Sequence, residues 1–477
     1  MSRSELGART VAAGPVARLR EPLSGEETWV VGGTVRDIAL GREPAEVDLA
    51  VPGPPEPVAR RIAAALDGIA FELSSEFPAW RVRGRDGDWQ VDVAMLRGQG
   101  GLDADLRLRD FTLGAIAVDL ATGTVHDPTG GLDDLGAGVI RACSDHSFTD
   151  DPLRLMRAAR LAANLGWTIE PATLDLARAA SSRGGEPAGE RILAELLQLI
   201  SGPDPLGGVR VMDAIGLFES VLPEIGALKG VTQGPNHHLD VYGHTLEVLE
   251  GVLRIESEPD RFAGDLGDAV SAHLAEPLAN GINRAAGLRL AALFHDAAKP
   301  ETRREKDGFI GFRGHDEAGA RLAGEILGSR LRASRRLCEY VAGITRNHLV
   351  LGFMVAERPL GRRRVYEYLV RTGPDPVDAT LITVADRLAA RGDSPLAASE
   401  MVAAHLELAR EMIRYGLEWE KSGPPAPLIG GLDLARALGI EPGPRLGEVM
   451  RELAAARYAG EIETAEQAVE HARHYLE

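Results

Sequence analysis

Thr28-Trp-Val-Val-Gly-Gly-Thr-Val-Arg-Asp37, continuing to Glu46-Val-Asp48, is the stretch on which the fold of this chain turns. Trp29 to Val31 are apolar and partly β-branched, Gly32-Gly33 interrupts them, and Val35 to Leu40 can form a short helix stopped by Gly41. The expected order is strand, glycine turn, helix, second strand. Two glycines at the turn let backbone N–H groups approach a phosphate with no Cβ in the way, and the helix N-terminus adds partial positive charge. Glu46 and Asp48 stand two apart, so on a strand their side chains share a face and can hold a pair of divalent cations. Two metals about 3.5–4 Å apart serve in-line displacement at phosphorus. Either feature alone is ordinary loop sequence; their order and spacing together point to nucleotide chemistry.

The chain has 477 residues, 44% hydrophobic and 26% charged, which is ample for several domains with apolar cores. No apolar run is long enough to span a bilayer, and the first residues lack the apolar segment of a signal peptide, so a cytoplasmic protein is expected. Cys143 and Cys338 are too few for a disulfide framework or a cysteine zinc site, and both are expected to be buried. A formal charge of −18 excludes a generally adhesive nucleic-acid binder, so RNA contact requires a local basic surface. The candidates are the arginines of 330–336 and Arg358, Arg362, Arg363, Arg364 and Arg371.

Along the chain, residues 1–27 carry a weak helical pattern with Gly and Pro interruptions and read as a loosely ordered lead-in. Residues 79–83 and 89–96 alternate as two strands around a turn at 85–88, with Asp92 on the second. A charged entry at 106–110 leads into an apolar segment, then to Asp127-Pro-Thr-Gly-Gly131. Thr149-Asp-Asp-Pro152 opens a helix through capping residues, which makes Asp151 and Arg154 neighbours on its surface. Helical patterns continue through 190–200 and 205–222. His237, His238, His244, His273, His295, His315 and His348 then fall in one stretch. Among them, His295-Asp296 is an adjacent pair at the end of an apolar helical segment, preceded by His244 and followed by Asp386.

The opening stretch resembles the head of the class II tRNA nucleotidyltransferase and bacterial poly(A) polymerase family, whose signature is G-G-x-V-R-D, a leucine-glycine stop and D-x-D. Glu46 stands where that family has its first aspartate. The resemblance implies an α+β fold: a small mixed-sheet head at 28–145, then all-α neck and body helices at 146–235. It implies that Glu46 and Asp48, with Asp92 from a neighbouring strand, are catalytic and hold Mg²⁺, while Gly32, Gly33 and Arg36 take the triphosphate. Arg109 and Asp110 match a motif near ribose and triphosphate, with Leu108 and Gly114 departing from it. Asp150, Asp151 and Arg154 match the family's E-D-x-x-R, whose second acid and arginine read the Watson–Crick edge of CTP or ATP; Arg157 and Arg160 continue the ridge.

The H…HD…D order resembles the HD phosphohydrolase superfamily, placing such a domain at 236–395 before a helical tail at 396–477. It implies a divalent metal on His244, His295, Asp296, His315, His348 and Asp386, with Lys299 as the lysine that follows the pair. The expected function is template-independent addition of CCA, or part of it, to tRNA or another RNA 3′ end from CTP and ATP, with a second phosphohydrolase activity. The alternatives are an HD phosphohydrolase carrying a degenerate, RNA-binding head, or an A-adding or poly(A) polymerase.

Overall fold

The computed structural model describes residues 1–74, 78–393 and 398–477. The chain forms two compact units, Met1–Val221 and Leu222–Glu477. The expected boundary between HD domain and tail, at 395 and 396, lies outside the described residues.

The first unit is built on a seven-stranded mixed sheet: β1 (Trp29–Val31), β2 (Val47–Val51), β3 (Gly68–Ser74), β4 (Ala79–Gly84), β5 (Gln90–Met95), β6 (Ala117–Asp119) and β7 (Val125–His126). The spatial order is β3-β4-β5-β2-β1-β6-β7. Neighbours are antiparallel except β2 and β5, which run parallel in the register Val47 to Val91 and Asp48 to Asp92. That parallel pair requires a long crossover, supplied by helix Pro55–Ala65 with β3 and β4. The helix buries Val58, Ala59 and Ile62 along one side; full burial of a side chain such as Ile62 is worth about 1.5–3 kcal/mol. On one face of the sheet Trp29, Val31, Ala50 and Ala117 join Leu102, Leu106 and Ala115 in a core that fixes the strand ends carrying the acids.

The lead-in is more ordered than its sequence implies. Helix Arg3–Ala12 is capped by Ser2, whose hydroxyl accepts from the Glu5 N–H, and Leu6, Val16, Leu19 and Leu23 are buried. Gly7 makes this docking possible, since a Cβ there would lie 1.9 Å from the Gly123 carbonyl oxygen. A lone glycine and a few spaced leucines carry no such signal in isolation.

Beyond the sheet, helix Leu153–Leu165 ends at Gly166 in the left-handed conformation and packs with helices Gly189–Ile200 and Pro205–Ile215. The second unit is mainly rather than wholly helical: helices Val241–Ser257, Arg284–Phe294, His315–Glu325, Arg335–Asn347, Pro376–Ala389 and Ser399–Ser422 surround a shared core, and two short antiparallel strand pairs, Pro277–Ala279 with Ile282–Asn283 and Arg304–Lys306 with Phe309–Gly311, accompany them. Its last helices, Gly431–Leu438, Pro444–Ala459 and Ala465–Leu476, form a separate apolar cluster through Leu434, Val449, Leu453, Ala468 and Ala472, with Ile462 from the connection. Among the described residues no helix is long and apolar enough to cross a membrane. Both cysteines are free, and they are half-buried rather than buried.

Most of the arginines read as a basic face are committed to acids of their own unit. Arg330 pairs with Glu224, Arg335 with Glu339 and Arg336 with Asp375; Arg358 pairs with Glu407, Arg363 with Glu452 and Glu461, and Arg364 with Glu357 and Glu367. A charge run in sequence does not show where its counter-charges fold to.

Candidate active sites

In the head, the chain turns from β1 into helix Gly32–Ala39 through Gly32 at φ +66°. A Cβ on Gly32 would stand 3.1 Å from Asp48 Oδ2 and 3.4 Å from Arg109 Nη1, so backbone, carboxylate and guanidinium converge on a cradle. Arg36, one turn into the helix, has Nη2 3.5 Å from the corresponding point on Gly33 and bonds Asp37 through Nε at 2.9 Å. Thr34 ties the second strand to this turn: its hydroxyl accepts from the Asp48 N–H at 2.8 Å and donates to the Glu46 carbonyl at 3.2 Å.

Glu46 precedes β2, and its Oε2 accepts from Gln90 Nε2 at 2.7 Å. Asp48 and Asp92 sit side by side on β2 and β5, and Asp92 is gripped by Arg81 Nε and Nη2, each at 2.7 Å. Burial, then the charges of Glu46 and Asp92, push the Asp48 carboxyl up to about 6. A carboxylate buried beside other acids is a position that favours a cation, and Glu46 and Asp48 are a donor pair of the kind that a divalent metal takes.

Arg109 is aimed by Asp105, an acid the sequence reading passed over. Asp105 is 2% exposed; it accepts from Arg109 Nε and Nη2 at 3.1 and 3.0 Å and from Arg97 N and Nε at 3.0 Å. Burial alone would raise its carboxyl, but the two guanidiniums outweigh it and hold it below the usual range.

Asp110, Arg157, Glu195 and Arg160 form one ion network. Arg157 Nη1 donates to Asp110 Oδ2 at 2.9 Å, and both Arg157 and Arg160 donate to Glu195. Arg154 lies within the fold rather than on the helix surface. It is 8% exposed, and its guanidinium donates to the carbonyls of Leu108, Arg109 and Ser147. Asp151 caps Leu153 N at 3.2 Å and accepts from Arg191 at 3.3 Å. The structure thus places Arg154 against the backbone of Arg109, and Arg157 against the side chain of Asp110.

The second unit gathers a different constellation. His244 lies one turn into helix Val241–Ser257, His295 and Asp296 follow helix Arg284–Phe294, His315 starts its helix, His348 follows helix Arg335–Asn347, and Asp386 lies near the end of helix Pro376–Ala389. His295, His315 and His348 each hold a backbone carbonyl through Nδ1, at 2.7, 2.7 and 2.6 Å. That fixes the ring and turns Nε2 inward as a lone-pair donor, the arrangement of metal-binding imidazoles.

Around Asp296 lie His295 Nε2 at 3.1 Å, His315 Nε2 at 3.3 Å, His244 Nε2 at 3.6 Å and His348 Nε2 at 3.8 Å. His244 Nε2 is 2.9 Å from Asp386 Oδ1. His244-His295-Asp296 and Asp296-His315-His348 are two ligand sets sharing one carboxylate. His295 Nε2 and both Asp296 oxygens are buried without a well-formed hydrogen bond, so the donor set fits one or two divalent ions.

Lys299 Nζ lies 2.6 Å from Asp296 and donates to Gln233 at 2.7 Å. The cluster opens into a cleft of about 470 Å³ lined also by His237, Phe312, Phe353, Arg387 and His405. His237, counted among the histidines but assigned no role, belongs with His244 and Asp386 to a further ligand group. His405 also escaped the sequence reading; burial pushes it down to about 4, and it faces Thr383 at 3.1 Å.

A mixed sheet bearing paired acids beside a glycine cradle, joined in one chain to an HD-type cluster of histidines and aspartates, defines a nucleotidyltransferase of the polymerase-head class. Residues 28–141 match the Poly A polymerase head domain, 166–228 the "probable RNA and SrmB-binding site of polymerase A", and 241–391 the HD domain. The A-adding tRNA nucleotidyltransferase of Deinococcus radiodurans is 36% identical, over 92% of this chain and 93% of the relative. The CC-adding tRNA nucleotidyltransferase of Thermus thermophilus is 30% identical, over 93% of this chain and 92% of the relative. The chain belongs to the tRNA nucleotidyltransferase family. Its fold is similar to that of a CCA-adding enzyme solved with CTP (20% identity, TM-score 0.63, covering 100% of this chain and 99% of that one). It is also similar to the Thermotoga maritima CCA-adding enzyme complexed with tRNA (20% identity, TM-score 0.57, the same coverage).

Proposed function

We propose that this protein adds nucleotides of the CCA end to tRNA, with CTP and ATP as donors and the head as the catalytic centre. The observation that carries it is the convergence of Gly32, Asp48 and Arg109 on one cradle, with Glu46 and Asp92 on the same sheet face. Gly32 and Gly33 bring backbone N–H groups to the triphosphate, and Arg36 and Arg109 neutralise its charge. Glu46 and Asp48 would hold Mg²⁺, which when bound supplies charge stabilisation to the attacking and leaving oxygens. The RNA 3′-hydroxyl displaces pyrophosphate at the α-phosphorus, and Asp92 lies beside Asp48 to support that exchange.

Asp151 and Arg154 read the base, with Asp110, Arg157 and Arg160 fixing the wall behind them. Arg154 acts from its bonds to the turn at 108–109, so that base choice and the aim of Arg109 are set together. The test is extension of tRNA ending in the discriminator base, in C and in CC, with each nucleoside triphosphate separately. Growth only with CTP and ATP is expected; growth with UTP or GTP at comparable rates would refute it. A second reading, A addition alone, is favoured by the 36% relationship to an A-adding enzyme, and it predicts growth only on the CC end with ATP.

We further propose that His244, His295, Asp296, His315, His348 and Asp386 hold divalent metal for phosphoester hydrolysis, the bound metal supplying Lewis acidity. Lys299, fixed between Asp296 and Gln233, presents a positive charge at the cleft for the phosphoryl group. Release of phosphate or opening of a cyclic phosphate, lost on chelation, is the expected readout.

A further inference from the structure

Glu46 carries one methylene more than the aspartate its position resembles, and the structure shows what meets the extra length. Because β2 and β5 run parallel with Val47 opposite Val91, Glu46 and Gln90 lie side by side one step before that pair. Gln90 Nε2 donates to Glu46 Oε2 at 2.7 Å. Glu46 is exposed and Gln90 half-buried, so the bond is not a by-product of core packing. Two residues further along the same strands, Asp48 and Asp92 repeat the pairing.

We propose that Gln90 is a positioning residue for the head's metal ligand: its amide tethers Oε2 of Glu46, and Oε1 would be the oxygen left for a cation that Glu46 and Asp48 would hold. This rests on the nucleotidyltransferase reading of the head. A glutamate has one more rotatable bond than an aspartate, and an exposed one loses rotamer freedom when it ligates. The amide of Gln90 removes that freedom beforehand, as outer partners of metal ligands do. An aspartate at position 46 would end short of the amide and would not need it. Gln90 and Glu46 therefore form a matched pair.

The test uses the full-length protein with Mn²⁺ as the probe, titrated by electron paramagnetic resonance of the free ion. The second unit has its own ligands, so binding lost in Asp48→Asn defines the share of the head. Gln90→Ala is expected to weaken that share about tenfold and to raise the Mg²⁺ concentration for half-maximal tRNA extension in proportion. Glu46→Asp in the Gln90→Ala background is expected to restore affinity, and adding Gln90→Ala to Glu46→Asp to change it less than about twofold. A thermal melt equal to the wild type's excludes a folding defect in Gln90→Ala. Unchanged Mn²⁺ affinity in Gln90→Ala, or the same penalty with Glu46 and with aspartate at 46, overturns the proposal. A wild-type protein with no Asp48-dependent Mn²⁺ binding and no extension overturns instead the reading of the head beneath it.

Discussion

Asp48 and Asp92 are register partners on parallel strands, yet only one of them is neutralised by the fold. Asp92 is held on both oxygens by Arg81, whereas Asp48 faces Glu46 and Asp92 and is pushed up to about 6 by burial and those charges. Asp48 is therefore the acid with most to gain from a cation. Asp48→Asn is expected to lower nucleotide addition by about 100-fold or more, and Asp92→Asn by less, because Arg81 already screens it. Single-turnover extension of tRNA ends measures both; undiminished addition by Asp48→Asn would remove the head from the chemistry.

Gly32 adopts φ +66°, and a Cβ there would press on Asp48 Oδ2 and Arg109 Nη1. Gly32→Ala is expected to cost about 1–2 kcal/mol of backbone strain and to raise KM for the nucleotide more than it lowers kcat, since the cradle binds phosphate before reaction. Gly33→Ala, whose nearest neighbours are the Arg36 side-chain end at 3.5 Å and Asp48 Oδ2 at 3.7 Å, should be milder. Steady-state kinetics on the two variants decide the order; equal effects would show that the turn at Gly32 is not the cradle.

Much of this was legible in sequence, and for physical reasons. Gly32-Gly33 before a short helix specifies a turn, and the strands at 79–83 and 89–96 appear as β4 and β5 within one residue or so of their ends. The histidine and aspartate order singled out residues that the second unit brings together in one cluster. Three things were not legible. β3 escaped notice although Ile69, Phe71 and Leu73 alternate with Ala70 and Glu72; it is an edge strand whose apolar side is exposed rather than buried. Gln90 acts only through Glu46, which is distant in sequence, and Asp105 stands four residues before Arg109, a spacing that many ordinary surface ion pairs share. Arg154 was placed on a helix surface by i,i+3 spacing, but three backbone carbonyls draw it inward.

Arg154→Ala would leave those carbonyls without their donor, at a cost of about 2–4 kcal/mol. The turn at 108–109 would loosen with it, and with the turn the aim of Arg109. The expected result is a lowered melting temperature together with reduced CTP and ATP preference over UTP and GTP; Arg154→Lys, with fewer donors, should recover part of the stability and little of the preference. Melting curves and competition between nucleotides measure the two separately. Preserved selectivity in a folded Arg154→Ala would remove it from base reading.

His295→Ala with Asp296→Ala takes away a ligand from one histidine set and the carboxylate common to both. Phosphohydrolysis and the metal content of the second unit are expected to fall to background, with nucleotide addition retained within about threefold. Metal content by atomic emission and the two activities on one preparation give the comparison. Loss of nucleotide addition in a folded variant would show that the two centres are not independent.

His273 lies in the second unit with Nε2 2.8 Å from Asp378 Oδ2 and Nδ1 3.1 Å from Glu420 Oε2. Tyr340 donates to Asp378 at 2.7 Å, and Arg284 bridges Asp378 and Asp375. Burial opposes the charge on the imidazole, but the hydrogen bonds to Asp378 and Glu420 outweigh it and push the group up to about 9. A folded value above the unfolded 6.5 means that the charged ring stabilises the protein fully below about pH 6.5, and that this contribution declines as pH rises toward and through about 9. A tenfold change in proton affinity between the unfolded and folded chain is worth about 1.4 kcal/mol, so the charged ring contributes a few kcal/mol at its fullest. The difference in unfolding free energy between the wild type and His273→Gln should be constant below about pH 6.5 and shrink steadily up to pH 9. Urea unfolding at pH 6, 7.5 and 9 measures it, and a gap that does not change with pH would show that the ring is neutral in the folded protein.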